Sequence, residues 1–205
     1  MNWKTLLEIE QQQDYFLDIR KALARDYKRT VVYPPKELIL NAFKLTPYDK
    51  LKVVIIGKEQ SDAGNSDGLA WSEPNPIDNT FGKDEISMSL ANVFKELESD
   101  IGNRSMDSGD LSGWAKQGIL LLNTTLTVNK GKPESHAEIG WNTFTDNMIK
   151  QIAHHKKHVV FLLWGSSIKN KKSLVKFARY GSYHHVLLAP HTSPFSAKKG
   201  FFGCE

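Results

Sequence analysis

Four short apolar runs along the chain predict the strands of one sheet. Each run is rich in leucine or in β-branched residues and lacks the polar alternation of a strand with one wet face. This pattern is typical of strands that are covered on both faces, as in parallel sheets. The four runs are KVVIIG (52–57), GILLLN (118–123), HVVFLLWG (158–165) and HHVLLAPH (184–191).

Helical patterns separate these runs. Apolar residues at helical spacing predict helices at about 86–98, 142–154 and 166–179. Two more helical stretches are predicted within residues 3–27, and another in YPPKELILNAFKLT, where Pro35 suits a first turn. Because strands alternate with helices, we expect an α/β fold of three layers, α/β/α, with helices on both faces of a central four-stranded parallel sheet.

The length and the cysteine count indicate one domain in a reducing compartment. The chain has 205 residues, 40% of them hydrophobic, and we find no internal repeat or linker, so a single domain over residues 1–205 is predicted. One cysteine, Cys204, excludes a disulfide framework and a four-cysteine metal site. The N-terminal segment is too charged for a signal peptide or a membrane span. We expect a cytoplasmic monomer that does not contact a membrane.

The charge of the chain is only a weak indication of function. A formal net charge of +4 is compatible with a polyanionic partner, although many proteins with this charge bind no nucleic acid. The runs HHKKH (154–158) and KNKKS (169–173) are interpreted as solvated helix ends rather than as a metal site or a phosphate site. Charge therefore does not decide the class of partner.

Polar residues follow every predicted strand. Ligands of parallel α/β sheets bind beyond the carboxyl ends of the strands, so these positions are the candidates for a site. One carboxylate, one carboxamide, one imidazole and several hydroxyl groups are expected to converge there. The segments are GKE (57–59), NTT (123–125), WGSS (164–167) and PHTSP (190–194).

Long motifs around these strand ends resemble the family 1 uracil-DNA glycosylases, over nearly the whole chain. The segment from WAKQGILLLNTTLTV to GWNTFTDNMI is similar to the family pattern throughout, VVFLLWGS to its third strand, and APHTSPFSAKKGFFGC to its closing segment. The resemblance implies an enzyme that flips a nucleotide out of DNA and hydrolyses its N-glycosidic bond, leaving an abasic site. It implies neither a cofactor nor a metal.

The resemblance assigns roles to individual residues. His191 matches the histidine that donates to the departing base, and Asn123 matches the asparagine that binds the Watson–Crick edge. Trp71 stands in place of the phenylalanine that stacks on the base, and Phe195 in place of the leucine wedge. Phosphate contacts are implied for Ser89, Ser166, Ser193, Ser196 and Lys198.

The first family motif is divergent in this chain. GKEQSD stands where the family has GQDPYH, so Gln60 falls among the base-binding positions of the motif. Glu59 replaces the aspartate that activates water, and Asp62, in place of the histidine, could take over that role. The register favours Glu59. Ser61 replaces a tyrosine whose ring excludes substituents at C5 of the base, which predicts a wider pocket.

Two functions are compatible with this pattern. The first is an active DNA glycosylase for a C5-substituted pyrimidine, such as those of phage DNA, with a role in phage defence. The alternative is a catalytically inactive relative that binds DNA or serves as a decoy for DNA-mimic glycosylase inhibitor proteins. The loss of three motif residues supports the alternative. Retention of a histidine, an asparagine, an aromatic stacker and a wedge supports the enzyme.

Overall fold

A four-stranded parallel sheet forms the centre of the fold. The computed structural model describes residues 1–74, 86–102 and 108–204. In these ranges the strands are β1 (Val32–Tyr33), β2 (Val53–Glu59), β3 (Ile119–Thr125), β4 (Val128–Asn129), β5 (Val160–Trp164) and β6 (His185–Ala189). The order β3-β2-β5-β6 has every neighbouring pair parallel, which confirms the predicted sheet. A small antiparallel pair, β1 with β4, was not predicted.

Helices cover this sheet and give the expected α/β/α architecture. None of the helices in the described ranges is both long and apolar enough to cross a membrane. The helices are α1 (Trp3–Gln11), α2 (Asp14–Asp26), α3 (Asn41–Leu45), α4 (Met88–Ile101), α5 (Ser112–Lys116), α6 (Trp141–His155), α7 (Lys172–Lys176) and α8 (Pro194–Ala197), with 3-10 turns at Lys36–Leu38, Lys169–Lys171 and Gly181–Tyr183.

Two of the predicted helices are wrong in length. The segment 166–179 forms a turn, a 3-10 turn and the five-residue α7. The Ser173 hydroxyl donates to the carbonyl of Asn170 at 2.8 Å, a local bond of the kind that competes with a continuous helix. The segment 33–46 also divides in two. Leu40 has φ −103° and ψ 24°, outside the helical region, so the 3-10 turn ends before α3 begins.

Strand β2 is longer than the apolar run that predicted it. The sequence indicates a break after Gly57, but the ladder continues until Glu59 pairs with Thr125 on β3. The Thr124 hydroxyl donates to the carbonyl of Lys58 at 2.7 Å, which holds the same stretch. Glu59 therefore lies at the end of a central strand, not in a solvated loop.

A buried polar network holds two helices against the loop that follows β3. His136 is fully buried and joins the Thr127 hydroxyl at 2.8 Å to the Asp26 carboxylate at 3.0 Å. The Trp141 indole N–H donates to the same hydroxyl at 2.7 Å. These bonds tie α2 and α6 to the loop after β3. His136 is thus a structural hydrogen-bond partner.

Candidate active site

A cavity of about 350 Å³ opens at the carboxyl ends of β2 and β3, beside the loop that follows β6. In the sheet, β3 lies on one side of β2 and β5 lies on the other, so the strand order reverses at β2. Parallel α/β sheets bind ligands beyond the carboxyl ends of the strands at such a reversal. Its lining residues are Gly57, Lys58, Glu59, Gln60, Ser61, Leu69, Trp71, Ser72, Glu73, Ser87, Ser89, Asn123 and His191.

The Asn123 side chain occupies space that is free because residue 57 is a glycine. Gly57 and Asn123 are ladder partners on β2 and β3. A methyl group on Gly57 would overlap the Asn123 Oδ1 and would lie 3.2 Å from Cζ3 of Trp71. Asn123 is 3% exposed, so its carboxamide is a fixed group of the wall, able both to donate and to accept hydrogen bonds.

Trp71 forms the aromatic wall of the cavity in a strained backbone conformation. Its φ of 61° lies in the left-handed region, which costs about 1–3 kcal/mol for a bulky residue. The indole N–H donates to the Thr192 hydroxyl at 3.1 Å, and the ring packs edge to face on Trp164 at 5.0 Å. Thr192 is fully buried and follows His191 directly, so the aromatic wall is bonded to the histidine loop.

Two further hydrogen bonds join the walls of the cavity to helix α4. The Asn92 amide donates to the carbonyl of Thr192 at 2.8 Å. At the start of α4, the Ser87 N–H donates to the Glu73 carboxylate at 2.6 Å. The bonds of Glu73, Asn92 and Thr192 therefore hold three separate segments around the cavity. Sequence reasoning missed Glu73 and Asn92, whose only signal is a polar residue near a motif.

His191 lies in the cavity as a neutral hydrogen-bond donor. The Ser193 N–H donates to its Nδ1 at 3.0 Å, and a backbone N–H can only donate, so the proton of the neutral ring is on Nε2. Burial, and after it the charge of Lys58, lowers the pKa of His191. At neutral pH the ring can therefore present an Nε2–H to an electron-rich atom in the cavity.

Glu59 is held by a loop that the sequence did not implicate. The Glu134 N–H donates to Glu59 Oε2 at 2.8 Å, and the Glu134 carboxylate pairs with Lys58. Glu134 has a φ of 58°, again in the left-handed region. Burial raises the pKa of the Glu59 carboxyl above its ordinary value, although the bond from Glu134 opposes this. The Glu59 carboxylate is thus anchored at one oxygen, and Lys58 neutralises the charge of the neighbouring Glu134 carboxylate.

The other residues of the divergent motif have different positions. Gln60 is buried, lines the cavity and accepts a bond from the Ser66 hydroxyl at 2.5 Å. Ser61 lines the cavity with a small side chain, whose oxygen accepts from the Ala63 N–H at 3.3 Å. Asp62 is not among the lining residues, and its carbonyl accepts from the Gly131 N–H at 3.2 Å. Of the two candidate carboxylates, only Glu59 lines the cavity.

The predicted DNA-contacting residues lie on three segments: the start of α4, the turn after β5, and α8 with its two flanking residues. Ser89 lies in the first turn of α4 and lines the cavity. Ser166 follows Gly165, and a methyl group built on Gly165 would lie 3.6 Å from the His191 side chain. Phe195 is 86% exposed in the first turn of α8. The remaining three lie at the start, within and at the end of that helix: Ser193, Ser196 and Lys198.

These groups together suit the hydrolysis of a bond to a flat, polar ring. The aromatic wall offers a stacking face, and the carboxamide can recognise a ring edge. A carboxylate can stabilise a cationic sugar and orient water, while a neutral imidazole can donate to a departing anion. Such a set belongs to an enzyme that cleaves an N-glycosidic bond.

Comparison with known proteins identifies the family of the chain. The Uracil DNA glycosylase superfamily matches residues 43–205. Over 205 residues the chain is 44% identical to the uracil-DNA glycosylase of Fusobacterium nucleatum, covering all of this chain and 86% of the relative. The enzyme of the same name from Aliarcobacter butzleri is 42% identical and is covered over 91% of its length. The chain belongs to the uracil-DNA glycosylase superfamily and is a DNA glycosylase.

Solved structures share the fold. The mimivirus uracil-DNA glycosylase superposes with a TM-score of 0.79 at 24% identity, over 95% of this chain and 69% of that one. A variant of the mimivirus enzyme in complex with UGI gives a TM-score of 0.80 at 23% identity, over 94% of this chain and 70% of that one. These likenesses establish the architecture described above.

We predict that Gly57→Ala disrupts the cavity. The added methyl group must displace Asn123 or Trp71, so single-turnover base excision should fall by about 100-fold or more, because small misplacements of reacting groups cost this much. Overpacking should also lower the free energy of unfolding by about 1–3 kcal/mol. Gly113→Ala, on exposed α5 with no atom within 4 Å, is the matched control and should retain full activity. Wild-type activity of Gly57→Ala would contradict the described contact.

We predict that Thr192→Val lowers excision about tenfold or more, because the variant keeps the shape but leaves the Trp71 indole N–H without its acceptor, a loss of about 1–3 kcal/mol. Thr192→Ser keeps the hydroxyl and should restore most of the rate. In a double-mutant cycle with Trp71→Phe, the combined variant should be no slower than the slower single variant. Additive losses would show that the bond does not couple the two residues.

Proposed function

We propose that this DNA glycosylase excises a pyrimidine with a substituent at C5. The observation that carries the proposal is the small side chain of Ser61 in the cavity lining, where the family resemblance places a tyrosine ring. A pocket excludes a substituted base through direct clash with a bulky side chain, and a serine cannot produce that clash. The substrate class includes thymine, hydroxymethyluracil and the modified pyrimidines of phage DNA, and the biological setting is defence against phage.

The proposed roles follow the geometry of the cavity. Glu59 orients the attacking water and stabilises the oxocarbenium-like sugar. His191 donates from Nε2 to O2 of the departing base, an interaction typically worth about 100-fold to 1000-fold in rate. Asn123 bonds the Watson–Crick edge, and because an amide can turn over, it accepts uracil-type and cytosine-type edges alike. Trp71 stacks on the flipped ring.

The proposed DNA contacts come from the same three segments. Phe195, which is almost fully exposed, enters the base step that the flipped nucleotide vacates. The serines at the starts of α4 and α8 and after β5 bond phosphates, with Lys198 adding charge, as contacts that fix the register of the protein on the strand. These residues are Ser89, Ser166, Ser193 and Ser196.

Uracil excision is the second candidate. It is supported by the 44% identity, over the full chain, to a relative that is named uracil-DNA glycosylase. A DNA-mimic inhibitor protein is a proposed partner on either account, because a fold neighbour was solved in complex with UGI. A protein that binds such an inhibitor while cutting no base would be the inactive decoy.

A panel of labelled oligonucleotides distinguishes these functions. The bases to compare are uracil, thymine, hydroxymethyluracil, hydroxymethylcytosine and glucosylated hydroxymethylcytosine, with alkali-labile abasic sites as the measurement. We expect cleavage at one or more C5-substituted bases. Cleavage of uracil alone would contradict the wider pocket. Intact DNA throughout, with binding retained, would establish the inactive alternative.

We predict that Ser61→Tyr converts the specificity. The ring should lower excision of the C5-substituted base by about 100-fold through steric exclusion, while excision of uracil is retained or gained. Ser61→Ala removes only the hydroxyl and is the matched control, with unchanged base preference. Equal effects of Ser61→Tyr on substituted and unsubstituted bases would show that position 61 does not face C5.

We predict that Glu59→Gln lowers the single-turnover rate by orders of magnitude, because the water loses its carboxylate. Asp62→Asn, which makes the same chemical change outside the cavity lining, should cost less than about tenfold. The wild-type rate should rise with pH through the raised pKa of Glu59, since the ionised form is active, and this limb should be absent in Glu59→Gln. The opposite ranking of the two variants would assign the water to Asp62.

A further inference from the structure

The C-terminal part of the chain carries an excess of positive charge. Residues 147–204 contain ten lysines and arginines and no aspartate or glutamate, whereas acidic residues are in excess before them. Such asymmetry between two parts of a chain indicates a polyanion-binding surface. The predicted phosphate contacts of the active site use only part of this segment. The cations between α6 and β6 have no role in base excision as described above.

Exposed aromatic rings lie among those unused cations. Phe177 is 80% exposed and Tyr183 is 46% exposed, and we call these two residues, together with Lys157, Arg179 and Tyr180, the aromatic patch. Lys157 Nζ lies 4.8 Å from the Tyr180 ring centre and 5.1 Å from that of Tyr183. The Arg179 guanidinium lies 5.1 Å from the Tyr180 ring. The rings of Tyr180 and Tyr183, whose centres are 6.1 Å apart, therefore form one cluster with these two cations. Phe177 lies two residues before Arg179 in the chain, and Lys176 Nζ lies 5.9 Å from its ring centre.

The aromatic patch lies at the opposite end of the sheet from the cavity. Lys157 precedes the first residue of β5, and Tyr183 precedes the first residue of β6. Ser166 and His191 follow the last residues of the same two strands. A five-residue parallel strand spans roughly 16 Å, so the patch cannot form part of the cavity wall.

We propose that the aromatic patch is a second nucleic-acid surface, which binds single-stranded DNA. Single strands are bound by aromatic rings on which bases stack, combined with cations along the backbone. A duplex offers no free base faces to an exposed phenylalanine, and an acidic peptide would match the charges but not the rings. A strand held here while another part occupies the cavity keeps the enzyme on its substrate. The proposal stands whichever base the active site removes.

The test is binding of a fluorescein-labelled oligodeoxyadenylate to the full chain, followed by anisotropy. This probe contains no pyrimidine that the active site could remove. Phe177→Leu/Tyr183→Leu keeps apolar bulk but removes the stacking faces, and should weaken binding about tenfold or more, since each stacked base contributes about 1–3 kcal/mol. Cleavage of a trinucleotide substrate, too short to span both surfaces, should be unchanged.

Charge variants test the backbone contacts. Lys157→Gln/Arg179→Gln should lower the slope of log affinity against log salt by about 1.4, or about 0.7 for each phosphate that the variant no longer neutralises. Lys28→Gln/Arg29→Gln makes the same change in net charge on an exposed segment far along the chain and should leave the slope near that of the parent. An equal decrease in this slope for both double variants would show that only the net charge of the protein matters. That result would overturn the proposal.

Two other results would also overturn it. Parent-like affinity of Phe177→Leu/Tyr183→Leu for the oligonucleotide would show that no base stacks on the patch. Loss of binding to anionic phospholipid vesicles in this variant, with oligonucleotide binding intact, would assign the patch to a lipid surface. A melting temperature close to that of the parent confirms that the variants are folded.

Discussion

The close contact between the Gly57 backbone and the Asn123 side chain is the constraint on which the rest of the active site depends. Adjacent parallel strands are held at a fixed spacing by their ladder, so any side chain at position 57 would have to occupy the space of the carboxamide or of the Trp71 ring. With that space kept, β2 continues two residues further and delivers Glu59 to the same wall. The position of the Glu59 carboxylate is therefore a consequence of strand pairing, and the loop that follows can vary without moving it.

Polar groups in and beside the cavity are bonded to one another. Lys58 pairs with Glu134, whose N–H holds Glu59, and the Trp71 indole N–H is bonded to the Thr192 hydroxyl. A charge or an indole N–H placed alone in this half-buried cavity would be expensive, because an unpaired buried polar group costs about 1–3 kcal/mol. Each of these polar groups has a partner, as an intact site requires.

The sequence predicted the sheet and most of the cavity, because both depend on local patterns. The apolar runs identified four strands, and the residues that follow them include Glu59, Asn123 and His191, all of which line the cavity. The segment 166–179 has the apolar spacing of one helix, but local bonds such as that of the Ser173 hydroxyl to the backbone compete with a continuous helix. Glu73, Asn92 and Glu134 could not be found, since their importance comes from contacts between segments distant along the chain.

The bond between Trp71 and Thr192 restricts how either residue can be substituted. A side chain without an acceptor at position 192 would leave the indole N–H unpaired in the wall, whereas a phenylalanine at position 71 would leave a threonine hydroxyl that can donate to a nearby carbonyl or hold a water. The cost of a single change is therefore unequal at the two positions. Two residues distant in sequence thus limit each other's substitution.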